Sequence, residues 1–146
     1  MHELSTILLV EDDADDAELI AYAFDKAGIG NPLATVSDGD AAIAYIEGTG
    51  PYADRAKHPL PALILLDLKL PRRSGFEVLG TIRTNLATKH TPVVVLTSSD
   101  QHVDIEHAYA LCANSYLVKP VSREALLAMA RMLNAYWIKL NRTVAA

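Results

Sequence analysis

The sequence predicts a doubly wound α/β domain built on a five-stranded parallel sheet. Two observations carry that prediction. Short apolar runs stand at Ile7-Leu8-Leu9-Val10, Leu63-Ile64-Leu65-Leu66 and Val93-Val94-Val95-Leu96, each followed by polar residues, and helical periodicity fills the gaps between them. Strands covered by helices on both faces read as continuous apolar runs, whereas a sheet with one wet face alternates. Weaker runs at Leu33-Ala34-Thr35-Val36 and Ser115-Tyr116-Leu117-Val118 bring the strand-then-helix repeat to five. Right-handed crossovers then place helices on both faces. In the order 2-1-3-4-5 the first and third strands are neighbours, and the crevice between their carboxyl ends is the topological switch point.

The helices follow in order. Ala17, Leu19, Ile20, Ala23, Phe24 and Ala27 recur at helical spacing and stop at Gly28, where a C-cap is expected. Ala41 to Ile46 forms a second helix behind the turn Ser37-Asp38-Gly39. Phe76, Val78, Leu79, Ile82 and Leu86 make a third, with Ser74 as the candidate N-cap. A fourth runs from about Val103 to Cys112, and the fifth begins near Ser122, where Ala125 in place of Glu leaves the capping box incomplete. This last helix is expected to extend from about 122 to 142. Leu126, Met129, Ala130, Leu133, Trp137 and Leu140 form its apolar stripe. At roughly 20 residues it would span about 30 Å, so its final turns are expected to project, with Tyr136 and Trp137 either covered by a partner or folded back on the same domain. The stretch from Gly48 to Pro61 is longer than the usual connection of about 2–6 residues and reads as an insertion.

With 146 residues the chain has the size of one domain, 1–146, and a net charge of -5 disfavours nonspecific DNA binding. The 51% hydrophobic content contains no long uncharged apolar segment, so no membrane span is expected. One cysteine, Cys112, and a start without a basic region and apolar stretch point to the cytoplasm. His102 and His107, five apart, are poorly placed to share one helical face as ligands and read as solvated.

The chemistry gathers at the strand ends. Glu11, Asp12 and Asp13 follow the first strand and Asp67 follows the third, so the acids converge at the switch point. Converging carboxylates repel unless a cation joins them, and hard oxygen ligands favour Mg²⁺. The alternative is an acidic run that only stabilises the positive end of the first helix. Thr97 ends the fourth strand and Lys119 the fifth, adding a hydroxyl and an ammonium able to contact an oxyanion attached to Asp67. Their joint placement favours a site over a helix-dipole effect.

On Glu11-Asp12, Asp67 with Pro71 and Gly75 behind it, Thr97 and Lys119-Pro120, the chain resembles the receiver domains of two-component response regulators from about Ile7 to the fifth helix. The resemblance implies a flavodoxin-like receiver fold and a signalling protein rather than an enzyme. It implies that Asp67 accepts a phosphoryl group from a sensor histidine kinase. Asp12, Asp67 and the carbonyl of Lys69 would bind Mg²⁺, with Glu11 acting through water. Lys119 would pair with the phosphoryl oxygens, Thr97 would move to them, and Tyr116 would turn inward as the aromatic switch. The family also implies a cis peptide at Lys119-Pro120. Glu11 departs from the aspartate often found at the first acidic position, and the Lys69 side chain reads as solvated or as a second ammonium near the phosphoryl group.

No effector domain is expected within the chain, so output would pass through contacts. The long insertion, Thr97-Ser98-Ser99 and the terminal Tyr136-Trp137 look like the single-domain regulators of bacterial phytochromes. That implies a homodimer through the last strand and helix, with Tyr136, Trp137 and Leu140 as interface residues. Two rival functions remain open. One is a phosphatase, disfavoured because the residue two after Asp67 is Lys69 and not a second aspartate. The other is a degenerate receiver that binds partners without phosphorylation.

Overall fold

Parallel pairing in the order 2-1-3-4-5 organises the computed structural model, which describes residues 1–2 and 4–144. The elements are β1 (Ile7–Val10), α1 (Ala14–Lys26), β2 (Leu33–Val36), α2 (Gly39–Glu47), β3 (Leu63–Leu66), α3 (Gly75–Thr84), β4 (Val93–Thr97), α4 (His102–Ala110), β5 (Ser115–Val118) and α5 (Arg123–Leu133). The register sets Ile7 beside both Leu33 and Leu63, so β1, β2 and β3 end level with one another.

Because successive strand residues point to opposite faces, each apolar run feeds two cores. Leu8, Val10, Ile64, Leu66, Val93 and Val95 pack under α2, α3 and α4. Ile7, Leu9, Leu63, Leu65, Val94 and Leu96 pack under α1 and α5. Each fully buried Leu or Ile contributes about 1.5–3 kcal/mol, which makes the three central strands a rigid platform for whatever stands at their ends.

Side chains fix where most helices start. Asp13, Asp38, Ser74 and Ser122 accept hydrogen bonds from the first-turn amides of α1, α2, α3 and α5. Gly28, at φ 78°, supplies the left-handed residue behind α1.

Several expectations are corrected. Leu86 does not extend the apolar face of α3: the backbone turns extended at Asn85 and Leu86 is 82% exposed. The apolar period outran the helix. The peptide bond Lys119-Pro120 is trans, since the described residues contain no cis bond. An X-Pro bond prefers trans by about 0.5–1 kcal/mol, and the Lys119 amide already donates to the Thr97 carbonyl at 2.7 Å with the bond trans. His107, although exposed, is not free in solvent: its ring stacks on Phe76 with centroids 4.0 Å apart. His102 is solvated as expected, 84% exposed, and pairs with Glu106 at 2.9 Å.

The last helix changes character along its length. From Asn134 to Leu140 the winding is π-helical, closed by the Asn141 amide donating to the Tyr136 carbonyl at 2.6 Å. Wider winding rotates Ile138 into the α1/α5 core and lays Trp137 against it. Tyr136, edge-on to Trp137 at 5.0 Å, and Leu140 stay exposed.

The insertion is pinned. A 3₁₀ turn at Gly50–Tyr52 leads to Arg55, whose guanidinium donates to the carbonyls of Tyr45, Ile46 and His58. The Tyr45 hydroxyl donates to the Pro59 carbonyl at 2.9 Å.

Candidate functional site

The residues that follow β1, β3 and β5 meet at one crevice, and β4 ends beside them. Asp67 is 5% exposed, its amide held by the Val10 carbonyl at 3.1 Å, so the carboxylate leaves β3 beside the end of β1. Glu11 is 2% exposed and is tied in the same way to the Val36 carbonyl at 3.0 Å. Asp12, one residue on, is exposed. One oxygen from each of Glu11, Asp12 and Asp67 lies within 4.8 Å of the others. Three hard oxygen donors at that spacing, two of them on buried side chains, form a donor set suited to a small divalent cation.

The loop behind Asp67 is seated on backbone. Gly75 donates to the Leu68 carbonyl at 2.9 Å, and a Cβ at Gly75 would meet the Leu68 Cα at 2.6 Å and collide with the Asp67 carbonyl. Only glycine permits that approach. The Gly39 amide at the start of α2 donates to the Pro71 carbonyl at 3.1 Å, and Arg73 pairs with Asp40 at 3.0 Å. Lys69 donates its amide to Asp67 Oδ1 at 3.3 Å while its side chain is exposed.

Lys119 is the electrostatic centre. Its Nζ reaches Glu11 Oε1, Asp67 Oδ2 at 2.9 Å and Asp16 Oδ2 at 3.1 Å. Burial alone would lower the Lys119 ammonium, but hydrogen bonds to Glu11, Asp67 and Asp16 outweigh it and hold its pKa above the ordinary lysine range. Burial pushes the Glu11 carboxyl up to about 7, against the lowering pull of Lys119 and of the Asp13 amide. Two buried acids, Glu11 and Asp67, thus share one ammonium.

Thr97 is the last residue of β4, and its carbonyl accepts from the Lys119 amide at 2.7 Å. Its side chain is fully buried, and its Oγ1 has no hydrogen-bond partner among the described residues. Such a group costs about 1–3 kcal/mol and marks a place where a partner is wanted. Tyr116, half-buried against the α2/α3/α4 core, donates its hydroxyl to the Ser99 carbonyl at 2.9 Å. Ser99 in turn donates to Asp104 on α4, which links the Thr97-Ser98-Ser99 segment to that helix.

The structure therefore brings Glu11, Asp12, Asp67 and Lys119 together, ties the Thr97 backbone to that of Lys119, and places Tyr116 one hydrogen bond from the β4–α4 loop. Tyr136, Trp137 and Leu140 lie elsewhere, on the last helical segment. Sequence reasoning missed Asp16: its place in the first turn of α1 is legible, but nothing in the run of acids around it marks it as the one that meets Lys119.

Comparison with known proteins agrees with this reading. The family model of the response regulator receiver domain matches residues 7–131. "Probable methanogenesis regulatory protein FilR2" of Methanothrix harundinacea is 40% identical over 140 residues, covering 94% of this chain and 86% of its own. Response regulator Rcp1 of Synechocystis is 38% identical over 133 residues, covering 91% and 88%. Its Mn²⁺-bound form superimposes with a TM-score of 0.86 at 37% identity over 97% of this chain and 99% of that one. The phosphorylated cyanobacterial phytochrome response regulator RcpA gives 0.89 at 35% identity, again over 97% and 99%. With the fold, the acidic cluster and these likenesses in agreement, the chain belongs to the response regulator receiver family and is related to the phytochrome response regulators.

Proposed function

We propose that the protein is a phosphorylation-dependent signalling switch of two-component type, in which Asp67 accepts a phosphoryl group from a phosphohistidine on a sensor histidine kinase. The observation that carries this reading is the environment of Asp67: a buried carboxylate with an ammonium on one oxygen, two further acids within 4.8 Å and an unpartnered buried hydroxyl on the neighbouring strand.

In the transfer, an Asp67 oxygen forms the new O–P bond as the N–P bond to imidazole breaks, and the electron pair left on the imidazole takes up a proton. Negative charge on the equatorial oxygens needs fixed positive partners, and Lys119 is one. Glu11, Asp12 and Asp67 would hold Mg²⁺, with the Lys69 carbonyl completing the set, and the ion supplies the second positive charge when bound. Thr97 gives its hydroxyl a partner by donating to a phosphoryl oxygen. Movement of Thr97 pulls on the Ser99 carbonyl that holds Tyr116, coupling the site to α4 and the β5 edge.

The chain acts as one receiver domain over 1–146, in the cytoplasm, with a bacteriophytochrome or related kinase as partner, and passes its signal through protein contacts rather than DNA. Among the described residues no helix is long and apolar enough to cross a membrane. Exposed Val118, Val121, Tyr136 and Leu140 supply the apolar surface for a homodimer through the β5–α5 region. Incubation with acetyl phosphate and Mg²⁺, followed by intact mass measurement, tests the reading. A phosphate-sized gain is expected in the wild type and not in Asp67→Asn; equal gain in both sinks it.

A further inference from the structure

Three carboxylates share the Lys119 ammonium, and they are not alike. The Glu11 and Asp67 side chains are 1% and 6% exposed and belong to the cluster suited to a divalent cation. Asp16 is 40% exposed, stands on the first turn of α1 and is outside that cluster. Asp16 is also fixed in place, since its amide donates to the N-cap Asp13 at 3.1 Å and its carboxylate meets Lys119 across 103 residues of sequence. Beside the pair is a small cavity of about 40 Å³ lined by Asp16, Leu96, Lys119, Pro120 and Leu126, which leaves the ammonium room to shift toward α1.

Consider what a dication does to this arrangement. Once it draws on the oxygens of Glu11 and Asp67, those groups neutralise Lys119 less well, and the two cations repel. The Lys119 side chain is only 16% exposed, so its ammonium still needs an anionic partner inside the crevice. Asp16 is the one carboxylate of the three that the ion leaves free. We infer that Asp16 is a positioning residue: it receives the Lys119 ammonium when a divalent cation takes over Glu11 and Asp67, and so allows cation and lysine to occupy the site together. The inference rests on the proposed cation site and extends it to a residue outside the ligand set.

Mn²⁺ affinity, read by electron paramagnetic resonance of the free ion, tests this without reference to phosphorylation. Asp16→Asn should weaken Mn²⁺ binding about threefold to fivefold, the size expected for a half-exposed charge coupling, and Asp16→Glu should restore it. In the Lys119→Met background, Asp16→Asn should change the affinity much less. An equal loss in both backgrounds would mean that Asp16 acts on the ion through space, and would overturn the inference. Unchanged affinity in Asp16→Asn, with Lys119 present, overturns it also. Failure of the unsubstituted protein to bind Mn²⁺ would reject the cation site itself, a result distinct from either.

Discussion

The two ends of the sheet treat buried polar groups in opposite ways. At the amino end and beneath it, every demanding group named here is satisfied. Thr88, fully buried, donates to the Ile82 carbonyl at 2.8 Å, and Arg55 closes the end of α2 through the Tyr45 and Ile46 carbonyls. Arg83 donates to the carbonyls of Cys112, Lys89 and Thr91 and to the Asn114 side chain. At the carboxyl end, one ammonium serves three acids and the Thr97 hydroxyl has no partner among the described residues. One end is finished without a ligand; the proposed function supplies one to the other. Among the described residues, the unpartnered buried hydroxyl and the excess of acids over ammonium groups both fall at the carboxyl end.

The sharpest break of that contrast is Lys119→Ala. It leaves Glu11 and Asp67 buried without their cation, and unfolding in urea with chelator present should show a loss of about 3 kcal/mol. Mg²⁺ should recover a large part of this, whereas the chelated wild type should respond less. A loss that Mg²⁺ does not touch would mean that the lysine matters only as packing.

Next comes Gly75→Ala. A Cβ there strikes the Asp67–Leu68 backbone, and backbone cannot swing aside as a side chain can. A destabilisation of about 1–3 kcal/mol is expected together with weakened Mg²⁺ binding, read by calorimetry. Gly80→Ala, which meets nothing within 4 Å, should do neither.

At the other end, Arg55→Ala removes charge-assisted bonds to the carbonyls of α2. It should cost about 1.5–3 kcal/mol in urea unfolding and leave the rate of acetyl phosphate labelling unchanged. A slowed labelling rate would show that the two ends are coupled and would blur the division drawn between them.

The smallest effect, and opposite in sign, belongs to Thr97→Val. Replacing an unpartnered buried hydroxyl with a methyl should leave the unphosphorylated protein unchanged or more stable by up to about 1 kcal/mol. The Tyr116 ring signals in NMR should then no longer shift on phosphorylation. A clear loss of stability would mean that the hydroxyl already has a partner in solution.

Much of this was legible in the sequence because parallel strands buried on both faces leave an unmistakable pattern, and the residues at their carboxyl ends fall at one edge. Asp67, Thr97 and Lys119 could be read as a set for that reason. Asp16 could not be singled out within Glu11-Asp12-Asp13-Ala14-Asp15-Asp16, because the run alone does not say which acid turns toward a lysine more than a hundred residues away. Leu86 misled because periodicity continues in the sequence after the backbone has left the helix. The π-helical winding that buries Ile138 and lays Trp137 on the core depends on hydrogen-bond register, which side-chain spacing does not encode. Arg55 reads as an ordinary loop cation until the carbonyls it caps are placed beside it.

The measurement that bears most directly on the central claim is the location of the phosphoryl group. Borohydride reduces an acyl phosphate to an alcohol, so treatment of protein labelled with acetyl phosphate and Mg²⁺ converts the modified aspartate to homoserine, which peptide mass spectrometry can place. Homoserine is expected at position 67 alone. Homoserine at Asp12 or another acid, or labelled protein with Asp67 intact, would contradict it.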